Sequence, residues 1–213
     1  MDWRRKSLKN FRVYAITDLN TPSESVIGQM ERALLGGVDI IQLRSKSLSD
    51  LALIRLGQKM RRVTRRLKKL FLVNDRVDLM QILDADGIHL GQEDIPISAA
   101  RRLIGNRNKI IGRSTHSLDQ ARRAEREGAD YIAFGPLFAT PTKPTYRPVG
   151  LQKIRSVLRA VRVPVVCIGG IDCENVNRVV ESGATRVAVV RAVFGARDPY
   201  QAAQTLRKAV VGE

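Results

Sequence analysis

The chain has 213 residues, 44% of them hydrophobic and 5% aromatic, with a formal net charge of +16. That length suits one domain, drawn here over 1–213, and no apolar stretch approaches the roughly 20 residues of a membrane span. The basic start, Met1-Asp2-Trp3-Arg4-Arg5-Lys6, has no apolar region after it, so no secretory signal is expected; two cysteines without a CxxC pair or a Cys/His cluster argue against structural zinc and for a reduced cytoplasm.

Short apolar runs recur in chain order: Val13-Tyr14-Ala15-Ile16-Thr17, Asp39-Ile40-Ile41-Gln42-Leu43-Arg44, Leu70-Phe71-Leu72-Val73-Asn74, Gly87-Ile88-His89-Leu90, Lys109-Ile110-Ile111-Gly112, Tyr131-Ile132-Ala133-Phe134, Pro164-Val165-Val166-Cys167-Ile168 and Val187-Ala188-Val189-Val190. They are continuously apolar rather than alternating, as strands covered on both faces should be. Helical segments separate them. Thr21-Pro22-Ser23-Glu24 is a capping box with proline at the first helical position, and Ser47-Leu48-Ser49-Asp50 and Ser117-Leu118-Asp119-Gln120 repeat the start pattern. Gly36-Gly37, Gly128 and Gly183 are placed to close helices before the next strand.

Leu53, Leu56, Met60, Val63 and Leu67 form a helical apolar stripe, so the crowd of cations around it (Lys59, Arg61, Arg62, Arg65, Arg66, Lys68, Lys69) reads as mostly the outer face of an amphipathic helix. Few aromatics and no recognition motif leave no specific nucleic-acid partner expected, although a basic field would speed the arrival of phosphorylated substrates. Eight strand-then-helix units imply a (β/α)8 TIM barrel, single-domain and at the short end of its range; an open doubly wound sheet is the alternative, and the count of eight favours the barrel.

A barrel collects its chemistry at the C-terminal ends of the strands, and polar residues do follow each apolar run. Strand two ends in Gln42, Arg44 and Lys46, whose alternation turns them the same way, strand three in Asn74-Asp75, strand five in Ser114-Thr115-His116, and strand eight in Val190-Arg191. Gly91-Gln92-Glu93-Asp94 follows strand four and Gly169-Gly170 strand seven. Strand six leads into a long proline-bearing loop whose Thr140, Thr142 and Lys143 offer two hydroxyls and an ammonium to an anion. Arg44, Lys46 and Lys143 with the carboxylates of Asp75 and Asp94 suit a diphosphate carrying one Mg²⁺. Gly169-Gly170 with the end of strand eight suits a monophosphate on backbone N–H groups. The absence of a P-loop or dinucleotide fingerprint argues against an NTPase or a dehydrogenase.

Five of these segments together resemble the thiamine-phosphate synthase family: Gln42-Leu43-Arg44-Ser45-Lys46, Asn74-Asp75-Arg76-Val77-Asp78, Gly87-Ile88-His89-Leu90-Gly91-Gln92-Glu93-Asp94, the 135–143 loop and Ile168-Gly169-Gly170-Ile171. The resemblance implies a transferase of thiamine biosynthesis that joins a pyrimidine diphosphate to a thiazole phosphate. It implies that Gln42, Leu43, Arg44, Ser45, Lys46, Asn74, Ser114 and Lys143 bind the pyrimidine diphosphate, with Arg44, Lys46, Ser114 and Lys143 catalytic. Thr140, Pro141, Thr142, Gly170, Val190 and Arg191 would line the thiazole phosphate site, and Asp75 and Asp94 would hold Mg²⁺.

Two rival readings remain. Gly112-Arg113-Ser114-Thr115-His116-Ser117 resembles the motif of the related thiazole tautomerases, with His116 as acid/base; a non-catalytic basic barrel that binds nucleic acid is the other. Ser45 stands where the family often has an acid, and Arg191 where it usually has a small hydroxyl residue. His89, inside an apolar strand, reads as a packed histidine rather than a catalyst, Cys167 as a small buried hydrophobe, and Cys173 carries no evident role.

Overall fold

Eight parallel strands close into a barrel in sequence order: β1 (Val13–Ile16), β2 (Ile40–Leu43), β3 (Leu70–Asn74), β4 (Gly87–Leu90), β5 (Ile110–Thr115), β6 (Tyr131–Phe134), β7 (Val165–Ile168) and β8 (Val187–Val189), with β8 pairing back onto β1. This computed structural model describes residues 3–17, 25–105, 108–140 and 147–212. Among these, no helix is long and apolar enough to cross a membrane.

The continuous apolar runs have a direct cause. Alternate strand residues point to opposite faces, and here both faces are covered. Val13, Ala15, Ile41, Leu43, Phe71, Val73, Ile88 and Ile132 pack outward beneath the helices, whereas Tyr14, Ile16, Ile40, Leu70, Leu72, Ile110, Tyr131 and Ala133 fill the barrel interior. Gly112 makes that interior possible at one point. A Cβ there would lie 2.1 Å from the Tyr131 ring, so only glycine lets this large side chain lie across β5.

The outer layer comprises α2 (Ser25–Leu35), α3 (Asp50–Arg66), α4 (Val77–Ile82), α5 (Ile97–Ile104), α6 (Leu118–Arg126), α7 (Ile154–Ala160), α8 (Val176–Glu181), α9 (Arg191–Phe194) and α10 (Pro199–Val211). Two expected starts are present: the Ser49 and Ser117 side chains accept hydrogen bonds from the N–H groups of Ala52 and Gln120, capping α3 and α6. The capping box at 21–24 lies outside the described residues.

A further helix, α1 (Trp3–Asn10), precedes β1 and had no counterpart among the expected elements. It closes the N-terminal end of the barrel, where Leu8, with Phe11 just beyond the helix, joins the interior core below Tyr14 and Tyr131. Ion pairs to Asp86 and Asp130 from Arg4 and Arg5 hold it there. A regular device operates at this end. Asp39, Asp86 and Asp130 each stand one residue before an even-numbered strand, and each carboxylate accepts an N–H from the preceding odd strand: Val13 at 3.2 Å, Phe71 at 3.0 Å and Ile111 at 2.8 Å. Each also takes cations, Arg207 and Lys69 on Asp39, Arg4 and Arg61 on Asp86, Arg5 and Arg101 on Asp130.

Arg61 is an exception on α3, whose cations lie mostly outside as expected. It is 6% exposed and grips the fully buried Asp86 through two bonds of 2.8 and 3.1 Å. Its neighbours Arg62, Arg65 and Arg66 are exposed as expected.

Candidate active site

A cavity of about 340 Å³ opens at the C-terminal end of the barrel, on the side opposite α1. Polar side chains from successive strands reach it: Gln42 and Arg44 from β2 and its end, Asn74 from β3, His89 from β4, Ser114 and His116 from β5 and beyond. Thr140, Gly169, Gly170, Asp172, Val190 and Arg191 complete the opposite wall. The expected residues Gln42, Arg44, Asn74, Ser114, Thr140, Gly170, Val190 and Arg191 are thus brought together.

Local bonding fixes several of them. Thr17 ties the β2 end in place, its hydroxyl donating to the Arg44 carbonyl at 2.9 Å and accepting the Arg44 N–H at 2.8 Å. The amide of Gln92 donates to the Ser114 carbonyl. Arg113, turned outward from β5 and buried, donates to the carbonyls of Gln92 and Ile95 at 3.2 and 3.1 Å. That guanidinium props the connection carrying Asp94. Gly170 has φ +68°, and a Cβ there would lie 2.7 Å from Phe138 Cβ and 2.8 Å from the Ala139 carbonyl. Any side chain at 170 would displace the segment that delivers Thr140. The Asn175 amide donates to the Gly170 carbonyl at 2.8 Å, and the Gly170 N–H has no hydrogen-bond partner among the described residues.

Other expected residues sit elsewhere. Leu43 is buried in the outer core and does not line the cavity. The strand stops at Leu43, and Lys46 lies exposed outside the cavity wall instead of continuing the alternation. The Ser45 hydroxyl accepts from the N–H groups of Ser47 and Leu48 at 3.3 and 3.1 Å, shaping the turn into α3. Pro141, Thr142 and Lys143 lie outside the described residues. Asp75, at φ +59°, accepts from the Asn74 amide, and its N–H donates to the His89 carbonyl at 2.9 Å, holding the ends of β3 and β4 together. Asp94 accepts the Gly91 N–H at 2.5 Å.

Arg191, at the start of α9, is exposed, lines the cavity and makes no ion pair among the described residues. His116 also lines the cavity, and its Nδ1–H donates to the Gly135 carbonyl, which leaves Nε2 as the nitrogen able to exchange a proton with a ligand.

Some cavity features escaped the sequence reading. Asp172 lines the wall beside the glycine pair and caps the following turn, accepting the N–H groups of Glu174 and Asn175 at 3.0 Å each. His89 is buried as expected of a packed histidine, yet it faces the cavity, and both ring nitrogens are engaged: Nδ1 lies 2.8 Å from the Tyr131 hydroxyl and Nε2 2.9 Å from the Ser114 hydroxyl. The signal available was phase. Tyr14, Gln42, His89, Ser114 and Tyr131 all fall on inward positions of their strands.

The chain is similar in sequence and in fold to known proteins. The family model for thiamine monophosphate synthase matches residues 13–193. The chain belongs to that family. It is 44% identical over 199 residues to a thiamine-phosphate synthase of Synechocystis sp., covering 93% of this chain and 57% of that protein. It is 43% identical to a thiamine-phosphate synthase of Chloroflexus aurantiacus, covering 94% of this chain and 93% of that one. The chain therefore spans little more than half of some relatives and nearly all of others. Among solved structures, thiamine phosphate pyrophosphorylase from Pyrococcus furiosus superposes with a TM-score of 0.86 at 39% identity, covering 98% of both chains.

Proposed function

We propose that the chain is a thiamine-phosphate synthase, which joins a hydroxymethylpyrimidine diphosphate to a thiazole phosphate and releases diphosphate. The observation that carries this reading is a cavity that gathers two cations, Arg44 and Arg191, with the hydrogen-bonding side chains Gln42, Asn74, His89 and Ser114. Two phosphorylated substrates that must meet need more than one cation in the same cavity. Gln42, Asn74 and Ser114 would receive the pyrimidine diphosphate with Arg44; Lys46 and Lys143 would supply further charge. Thr140, Gly170, Val190 and Arg191 would receive the thiazole phosphate, together with Pro141 and Thr142.

The donor chemistry fits Mg²⁺. Among the described residues no group of three or more His, Cys, Asp or Glu side chains could cage a metal. Mg²⁺ needs no such cage, being held by one or two carboxylates together with phosphate oxygens and water. Asp75 and Asp94, at the ends of neighbouring strands, would hold it. When bound, it would supply Lewis-acid stabilisation of the negative charge gathering on the departing diphosphate. Arg44, Lys46, Lys143 and the Ser114 hydroxyl would stabilise the same charge, and the cavity walls would exclude water while the thiazole nitrogen captures the pyrimidine methylene carbon.

Supplying purified protein and Mg²⁺ with both phosphorylated heterocycles should yield thiamine phosphate and diphosphate in equal amounts, with neither formed when the thiazole phosphate is omitted. Diphosphate release without coupling would contradict the reading. The position of His116 favours one second reading, thiazole tautomerisation with Nε2 as acid/base. His116→Ala should leave the synthase reaction nearly unchanged; isomerisation lost on this substitution, in a parent without synthase turnover, would reverse the assignment.

A further inference from the structure

The barrel interior beneath the cavity carries a continuous chain of hydrogen-bonding groups. Gln42 Nε2 lies 2.5 Å from the Tyr14 hydroxyl, which lies 3.1 Å from the Tyr131 hydroxyl. Tyr131 in turn lies 2.8 Å from His89 Nδ1, and His89 Nε2 lies 2.9 Å from Ser114 Oγ. Gln42, Tyr14 and Tyr131 are each 1% exposed or less, so every proton in this chain must find its partner inside it.

That requirement sets the direction. An amide nitrogen only donates, so Gln42 gives its N–H to the Tyr14 oxygen. Among the described residues the Tyr14 O–H then has one remaining neighbour, the Tyr131 oxygen, and the Tyr131 O–H has only His89 Nδ1. Nδ1 must therefore be bare, which places the ring proton on Nε2 and directs it to the Ser114 oxygen. With that lone pair occupied, the Ser114 O–H points into the cavity. Burial raises both phenol pKa values well above the ordinary range, so neither link loses its proton.

We propose that Gln42, Tyr14, Tyr131 and His89 form a one-way hydrogen-bond relay that presents the Ser114 hydroxyl to the cavity as a donor, aimed at an oxygen of a bound diphosphate. Tyr14, Tyr131 and His89 are positioning residues in this scheme, because they act through Ser114. The target of the hydroxyl rests on the synthase reading; the direction of the relay does not. Gly112 belongs to the same device, since it makes the room that Tyr131 occupies.

The chain has two histidines, and their bonding predicts opposite neutral tautomers: Nε2–H for His89 and Nδ1–H for His116. Ring ¹⁵N spectra of the intact protein should show one of each, with His116→Ala removing the Nδ1–H pattern and so assigning the other. Tyr131→Phe should convert His89 to a mixture of tautomers. It should also lower kcat about tenfold, a fraction of the 10²–10³-fold typical for removing a charge-stabilising donor outright, while KM for the pyrimidine diphosphate stays within about twofold. Tyr14→Phe, one link further away, should fall between the parent and Tyr131→Phe, and serves in place of Tyr131→Phe if that variant does not fold. A His89 ring protonated at Nδ1 in the parent overturns the relay, as does a phenylalanine variant with parental kcat and tautomer. If the parent makes no thiamine phosphate, the synthase reading fails alone and the ¹⁵N pattern still decides the relay.

Discussion

The two ends of the barrel treat charge differently. At the N-terminal end, Asp39, Asp86 and Asp130 are each matched to cations and to a strand N–H. At the C-terminal end Arg76 pairs with Asp50 and Asp78, but Asp94 bonds to a backbone N–H, and Lys46 and Arg191 make no ion pair among the described residues. Matched charges are satisfied by folding and serve to fix α1 and the strand register. Charges left apart around a cavity remain open to a ligand of the opposite sign. One chain thus places a charge-matched end and a cavity-bearing end on the same eight strands.

Substitutions at the two ends should therefore separate stability from activity. The largest effect is expected from Asp86→Ala, which leaves the buried Arg61 guanidinium and the Phe71 N–H without their acceptor. It should cost about 3–5 kcal/mol in denaturant unfolding, with kcat of the folded fraction little changed. A loss below about 1 kcal/mol would break the comparison. Lys143→Ala should do the reverse, lowering kcat about 10²-fold or more with an unchanged unfolding midpoint. A rise in KM alone would restrict Lys143 to ground-state binding. Arg191→Ser should raise KM for the thiazole phosphate about tenfold, the scale of one charged hydrogen bond, and barely move KM for the pyrimidine diphosphate. Tighter thiazole phosphate binding by the serine variant would mean that Arg191 obstructs the site. The smallest effect belongs to Arg62→Ala on the exposed face of α3, within about 0.5 kcal/mol and kinetically silent, although its neighbour Arg61 is a structural anchor.

The barrel was legible because its signals are local and repeated. Continuous apolar runs of four to six residues mark strands covered on both faces, and Gly37, Gly128 and Gly183 adopt the left-handed conformation that ends a helix. The polar residues at the strand ends were legible for the same reason. Arg61 was not, because a cation on an amphipathic helix reads as exposed, and the acid that buries it lies 25 residues away on another element. Helix α1 was hidden because its few apolar residues acquire meaning only once the barrel has an open end to close. Tyr14 and Tyr131 read as core aromatics, 117 residues apart, and their hydroxyls meet only when the sheet closes. Lys46 shows the converse limit: its alternation with Gln42 and Arg44 predicts a shared face, but the strand has already ended.

Under the proposed function, Arg44, Lys46 and Lys143 with Asp75 and Asp94 would bind a diphosphate carrying Mg²⁺. Thiamine phosphate formation by the purified protein, followed with Mg²⁺ and then with excess chelator, tests it most directly. The account predicts turnover that the chelator abolishes and added Mg²⁺ restores, with the unfolding midpoint unmoved throughout. Full turnover in the presence of chelator would contradict it.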